Sequence, residues 1–216
     1  MWELTYIAEI MGNSARFQAA ISTVRPRGGR VIEAYSPKLN RRLQCFGEHV
    51  FGQWIRLEAD PLVHNFCERP TYLDIADGKS LADFWVQRID REMLLVVDAE
   101  NQVSTIAIGD TELEIRTIPL ADLMAARIWI GNWERMLPVI TSCREQTTLS
   151  LQQSILKFLV EPMQLSRIER EFSTSDPSLV RAAVFTLLHD GRLQAPQLHT
   201  EPLSFLTCFQ ATRPMP

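Results

Sequence analysis

Glu48, Asp83, Asp98 and Glu100 are the residues whose types and spacing could carry chemistry. Glu48 falls on an amphipathic stretch, Asp83 on an alternating one, and Asp98 and Glu100 close the apolar run 93–97. Carboxylates brought together at the ends of neighbouring strands suit Mg²⁺, a hard ion that takes oxygen ligands and keeps bound water. Such an ion polarises a phosphate and activates water for hydrolysis. Acidic residues at strand ends are also common as solvated side chains. The spacing alone therefore marks Glu48, Asp83 and Asp98 as a candidate catalytic metal site and no more.

A second set of residues is basic. Between 16 and 42 stand seven basic residues (Arg16, Arg25, Arg27, Arg30, Lys38, Arg41, Arg42) against one acid, Glu33. Residues 48–145 hold nine basic and seventeen acidic residues, 146–216 balance at six each, and the whole chain carries −4. A basic leader on an acidic body can hold nucleic-acid phosphates beside a carboxylate site. Arg25, Arg27, Arg30, Arg41 and Arg42 are accordingly the candidate DNA contacts, the alternative being a solvated, Arg-rich surface segment.

Other chemistries are disfavoured. The four cysteines are 22, 76 and 65 residues apart and the four histidines are scattered, which leaves neither a zinc spacing nor a compact disulfide framework. Reduced, mostly buried thiols are expected. The longest apolar runs are far too short for a membrane span. The opening Met1-Trp2-Glu3 lacks a basic-then-apolar signal, so a cytoplasmic protein with no membrane partner is expected. With 216 residues, 46% hydrophobic and 22% charged, the chain can bury one or two ordinary cores.

The elements that must position these residues follow from periodicity. Residues 36–40 are turn-like, and 43–59 carry apolar residues at steps of three and four, which predicts a helix ended by Asp60-Pro61. Residues 63–66 and 70–75 read as extended, 81–89 alternates as a strand, and 93–97 is a strand buried on both faces. A short strand over 113–118 and a helix from Pro119 to a stop at Pro138 complete an α/β domain with a mixed sheet, expected over 1–145. The stripe Trp129, Trp133, Leu137 on that helix reads as core.

Beyond a polar break at 138–148 the pattern changes. Helices are expected over 149–160, 164–172 and 178–189, the last preceded by Ser173-Thr174-Ser175-Asp176-Pro177 and closed by Asp190-Gly191. Residues 192–195 and 203–209 can pair as a hairpin. Three helices and a hairpin over 146–216 make a small C-terminal winged-helix domain. Its third helix carries only Arg181 as a base and is otherwise strongly apolar, unlike a helix built to read a major groove. Protein docking is the expected role, through Leu193, Leu203, Phe205 and Phe209, with Leu206 beside them, and DNA contact is the alternative.

The helix bearing Glu48, the turn Asp60-Pro61-Leu62-Val63, the stretch Phe66-Cys67-Glu68-Arg69-Pro70 and the strand Asp83-Phe84-Trp85-Val86 resemble the TnsA family, the endonuclease subunits of heteromeric transposases. That family shows a glutamate-bearing helix, an Asp-Pro-x-Val turn, a Phe-x-x-x-Pro strand and a Pro-Asp-Phe-x-Val strand. The likeness covers nearly the whole chain, with its specific residues between 47 and 98. It implies a restriction-endonuclease-like fold with flanking helices followed by a winged helix, and Mg²⁺ held by positions matching Glu48 and Asp83. It also implies partners: transposon-end DNA, a transposase subunit and a transposition ATPase.

The third element departs from the family. Where an acid or glutamine, one residue and then a lysine are expected, the natural alignment puts Val97 and Ala99; Asp98 fits only after a shift of one, which reverses the strand face. The chain has three lysines, Lys38, Lys79 and Lys157, and only Lys79 is close in sequence to Asp83. Losing such a cation costs on the order of a thousandfold in rate. The expected function is a TnsA-like subunit whose DNA cleavage is lost or rearranged. The alternative is a DNA-binding regulator or interaction scaffold without nuclease activity.

Overall fold

The computed structural model describes residues 17, 19–23, 30–75, 78–99, 103–109, 111–172 and 176–212. The chain forms two compact units. One takes in the described residues up to Ala34, then Arg42–Phe51 and Leu62–Leu120; the other takes in Tyr35–Arg41, Gly52–Pro61 and the described residues from Ala121 onward. Among the described residues no helix is long and apolar enough to cross a membrane.

The first unit is mixed α/β. Strand β1 (Val31–Ser36) pairs with β2 (Arg41–Phe46), and helix α1 spans Glu48–Ala59; of these elements Tyr35, Ser36, Arg41 and Gly52–Ala59 belong to the second unit. Strands β3 (Val63–Glu68), β6 (Phe84–Arg88), β7 (Glu92–Val97), β9 (Thr111–Ile118) and β8 (Val103–Ile108) then lie side by side in that order. A separate hairpin joins β4 (Tyr72–Ile75) to β5 (Gly78–Leu81). In the main sheet β3, β6 and β7 form an antiparallel meander, β7 and β9 run parallel, and β8 returns antiparallel to β9.

Cross-strand register explains the core. Cys67 faces Trp85, Trp85 faces Leu94, and Leu94 faces Ile115. With Phe17, Leu73, Ala82 and Leu113 this row makes a hydrophobic cluster. Such rows are how a sheet converts a period-two pattern into burial. Trp85 is fully buried, and its indole N–H donates to Glu92 Oε2 at 3.1 Å, so its one polar atom is satisfied.

Two expectations are corrected here, and one further strand is added. The helix expected from 43 begins at Glu48, because Leu43 and Cys45 are buried alternately with exposed Arg42 and Gln44, and Gly47 (φ 99°) breaks the strand from the helix. The strand expected over 81–89 is broken at Ala82-Asp83: Ala82 N–H still donates to Thr71 O, whereas Asp83 N–H donates to Leu95 O, so the chain changes partners between them. The strand β8, which turns through Gly109 (φ 63°) into β9, was not anticipated from the sequence.

In the second unit, helices α2 (Leu120–Ala125), α3 (Arg127–Ser142), α4 (Leu149–Phe158), α5 (Leu165–Glu171) and α6 (Pro177–His189) are followed by a 3-10 turn over Pro196–His199. Short strands β10 (Met163–Gln164), β11 (Leu193–Gln194) and β12 (Cys208–Ala211) form an antiparallel sheet in the order β10-β12-β11. Pro138, expected to end a helix, lies inside α3. Both Pro138 and Glu134, the residue whose carbonyl loses its donor, are exposed, so water can satisfy what the ring removes. The unit also begins upstream of the break expected at 145/146, since it includes α2 and α3.

Helix α6 is the unit's centre. The Asp176 side chain caps it by accepting from Ser178 N–H at 2.8 Å, and Pro177 occupies its first turn. Val180, Ala182, Ala183, Val184, Phe185, Leu187, Leu188 and His189 are all buried, so the helix is covered nearly all round. It packs on α3, α4, α5 and β11. Asn132 of α3 is buried and fully used: its amide donates to Leu198 O and Glu201 O, both at 2.8 Å, and its oxygen accepts from Leu203 N–H at 2.7 Å.

Glu58 is wholly buried at the end of α1. Its carboxylate accepts from Ser36 Oγ (2.6 Å) and Lys38 N–H (2.7 Å) and meets His189 Nε2 at 3.0 Å. The Lys38 ammonium donates to Leu57 O (3.2 Å) and Asp60 O (2.6 Å). Burial on its own would lower the His189 pKa, but its contacts with Asp190 and Glu58 outweigh that and hold it above the usual histidine value.

Because the folded-state pKa of His189 is raised, the pair contributes stability that is fully present below pH 6.5 and is lost as pH climbs through the folded-state value. Denaturation midpoints measured on the alkaline side of 6.5 should therefore fall with pH in the natural chain and lose that slope in His189→Gln. A second expectation concerns Gly191, at φ 71°, where an added Cβ would stand 2.7 Å from Pro61 Cβ. Gly191→Ala should cost about 2–4 kcal/mol in equilibrium unfolding, from left-handed strain plus overpacking.

Candidate functional site

Three pieces of backbone bring the sequence-predicted acids to one end of the main sheet. Gly47 N–H donates to Arg30 O at 2.8 Å and turns the chain into α1, so Glu48 and His49 fall in its first turn. Asp83 sits between β5 and β6, tied by its own N–H to Leu95 O (2.9 Å) and by its carbonyl to Arg69 N–H (2.8 Å). Asp98 follows β7 in a left-handed conformation, φ 59°, and its N–H donates to Ile118 O at 2.8 Å.

The side chains link these pieces. Asp83 Oδ2 accepts from Val97 N–H at 2.7 Å, one residue before Asp98. Asp98 Oδ2 meets His49 Nδ1 at 3.2 Å, and both side chains are about half exposed. Glu48, one residue earlier, turns to Arg30 instead, at 2.8 Å and largely in solvent. The start of α1, the start of β6 and the end of β7 thus converge, but His49 and not Glu48 makes the contact from the helix to Asp98.

Asp83 is the most perturbed member. Burial raises its pKa from 3.8 to about 6, although the Val97 N–H works against that rise. Cys45 has its thiol pushed up to about 12, first by burial and then by the charges of Glu68 and Asp83, with Arg69 opposing. A thiol held that high is unreactive as a nucleophile. Arg69, at φ 48°, lays its guanidinium over the Phe46 ring at 4.6 Å and donates to Ile21 O (3.3 Å) and to Gln44 O. Two non-glycine residues in the left-handed region, Arg69 and Asp98, therefore flank Asp83 in the hydrogen-bond network, and strain of that kind collects at functional sites.

The arrangement does not suit Mg²⁺ as the sequence proposed. Among the described residues no group of three or more His, Cys, Asp or Glu is placed to hold a metal ion. Mg²⁺ demands near-octahedral oxygen ligands at short range, whereas Glu48 points to Arg30 and Asp98 to His49. Lys79 stands 3.9 Å from Asp74 on the β4–β5 hairpin, exposed.

Of the predicted DNA contacts, Arg25 and Arg27 lie outside the described residues; Arg30 pairs with Glu48, Arg41 is half-buried and Arg42 exposed. Of the predicted docking residues, Leu193 and Phe209 belong to the second unit's own core, Leu203 is half-buried, and Phe205 is exposed, as is its neighbour Leu206. His49 and Arg69 were missed by the sequence: 49 positions separate His49 from Asp98, and no spacing signals such a pair.

Asp83 yields a direct test. With its folded pKa raised, its contribution to stability is full below pH 3.8 and is lost as pH rises to about 6, so at neutral pH the buried charge is a net cost. Asp83→Asn keeps an acceptor for Val97 N–H without that charge. It should stabilise the protein at neutral pH by on the order of 1–2 kcal/mol, with little change in acid, as read by chemical denaturation at both pH values. Compared with known proteins, the chain matches no family model and no curated protein.

Proposed function

We propose that the chain is a TnsA-like subunit of a DNA transposition complex: a restriction-endonuclease-like unit that holds transposon-end DNA without cutting it, joined to a winged helix that docks partner proteins. The observation that carries this reading is the convergence of the start of α1, the start of β6 and the end of β7, the three places where the resemblance puts its acids. A helix ahead of an antiparallel meander, with a parallel strand beyond it, supports the nuclease-like ancestry.

Loss of cutting is supported by the side chains themselves. The carboxylates of Glu48 and Asp98 are taken by the chain's own Arg30 and His49, and Lys79 is engaged on the β4–β5 hairpin. Hydrolysis of a phosphodiester needs developing negative charge to be met by a fixed cation or metal. Binding needs only phosphate contacts from arginines, which are sequence-independent.

For the second unit, α4, β10, α5, α6 and the β11–β12 pair follow the order of a winged helix. Helix α6 is buried nearly all round, which leaves it little face for reading bases and supports a docking role. The docking face is then the turn bearing Phe205 and Leu206, 56% and 66% exposed, because Leu193 and Phe209 are committed to the core. A transposase subunit or transposition ATPase is the partner the resemblance implies.

The purified chain should bind duplex DNA of any sequence with an affinity that falls steeply with salt, and leave the duplex intact in Mg²⁺ or Mn²⁺. Arg30→Glu with Arg42→Glu should weaken binding on the order of tenfold or more, equally for unrelated sequences. Gel shift and strand-nicking assays on the same duplex decide it. Nicking that disappears in Asp83→Asn would overturn the non-cutting reading, and unchanged affinity after the double reversal would remove the leader as the contact surface.

A further inference from the structure

The main sheet of the first unit ends in two edges of different character. Along β3 the pairing with β6 shifts register between Val63 and Asn65, His64 is exposed and Glu68 closes the strand. Register shifts and polar or charged side chains are how natural sheets blunt an edge against further pairing. Strand β8 has none of these devices. Its register with β9 runs unbroken from Val103↔Arg116 to Ile108↔Thr111, and its six residues, Val-Ser-Thr-Ile-Ala-Ile, include no charge, proline or glycine. Ser104, Thr105 and Ala107 are exposed, and among the described residues β9 is the one strand neighbour of β8. Alternate residues of an edge strand aim their N–H and C=O groups outward, which makes such a strand a template for another.

The residues behind the edge indicate what fits it. On β9, Arg116 stands opposite Val103, Glu114 opposite Thr105 and Glu112 opposite Ala107. The intervening positions, Ser104 and Ile106, stand opposite Ile115 and Leu113 on the core side, where Ile106 packs against the hydrophobic cluster yet stays partly exposed. Arg116 is exposed and has no ion pair among the described residues. Glu112 is exposed as well, its carboxylate accepting from Thr105 Oγ at 2.6 Å. An uncharged strand is thus backed by a row that is positive at one end and negative at the other, and that row reads in reverse on a copy turned by 180°.

We infer that β8 pairs antiparallel with β8 of a second copy of this chain, about a two-fold axis at Thr105, joining two five-stranded sheets into one. In that register Thr105 faces its own counterpart, Ser104 faces Ile106, and Val103 faces Ala107. Charge selects the axis between the strand's two central residues. With the axis at Thr105, Arg116 of each copy shares a cross-sheet row with Glu112 of the other, and the two attractive rows outnumber the single Glu114–Glu114 row. With the axis at Ile106, Glu114 would share its rows with Glu112 and Arg116 would meet no acid. The backbones of Arg116 and Glu112 are then three strand spacings apart, about 14 Å, and their long side chains bring the charges within a Debye length. Growth stops at two copies, because the pairing is isologous and the outermost edges left are the blunted β3 strands. The contact lies wholly within the first unit and stands whether or not that unit holds DNA.

Analytical ultracentrifugation of the full chain over a concentration series tests it. The protein should pass from monomer to dimer with a dissociation constant on the order of 10 µM, as suits an interface below the standard size. Arg116→Glu should weaken the dimer roughly fivefold or more, because it turns both opposite-charge rows into like-charge ones, and adding Glu112→Arg should restore it. In a Cys143→Ser, Cys208→Ser background, Thr105→Cys should give a disulfide-linked dimer on mild oxidation, since directly opposed residues lie about 4.5–5.5 Å apart, within the reach of a disulfide. Ala107→Cys, exposed but well off the axis, should not cross-link under the same conditions. A monomer throughout the series, a dimer indifferent to the charge exchange, or cross-linking that does not single out Thr105→Cys would overturn the inference.

Discussion

A carboxylate sealed from solvent must be satisfied by the chain around it, and Glu58 imposes that demand on the second unit. Transfer of an unpaired ionised carboxyl into a protein interior is prohibitive. The hydroxyl of Ser36, the amide of Lys38 and the imidazole of His189 together meet the demand. These groups come from the β1–β2 turn and the end of α6, far apart in sequence. The unit's three discontinuous segments therefore share one buried polar centre. Removing one member would strand the others, so the network acts as a registry device as much as a source of stability.

The first unit handles its acids by the opposite strategy. Asp83 is given one backbone donor and is otherwise left with the cost of burial, whereas Glu48 and Asp98 are paired at the surface. Exposed pairs of this kind are each worth about 0–1 kcal/mol. They are easily broken, and they fix the direction of a side chain more than they hold the fold. What holds this end of the sheet is backbone: the change of partner at Asp83 and the left-handed turns at Arg69 and Asp98.

Much of the framework was legible because it rests on local rules. The Asp176-Pro177 start of α6, the buried run that became β7 and the strand that ends at Ile118 were readable from capping chemistry and periodicity. Strand β2 was misread because Leu43 and Phe46 fall at helical spacing ahead of a true helix, and a two-residue alternation is too short to compete. Strand β8, joined to β9 by the turn at Gly109, was missed although its pairing is local, whereas β10 was invisible because its partner β12 is distant in sequence. The same limit hid the site. Glu48 and Asp83 were singled out by type and place, but that His49 rather than Glu48 reaches Asp98 depends on a helix-to-sheet approach that no local pattern encodes. Leu193 and Phe209 were taken for surface because α6, buried nearly all round, consumes more apolar partners than an amphipathic helix would.

The cysteines give the two units different chemical visibility. Cys45 and Cys67 are buried in the first unit, whereas Cys143 and Cys208 are partly exposed in the second. A thiol-specific reagent would thus modify the second unit in the folded protein but reach the first only when its sheet opens. The chain carries its own clock for local unfolding: the slow phase of alkylation at Cys45 and Cys67 reports the opening equilibrium of one unit, independently of the other, with no probe engineered into either.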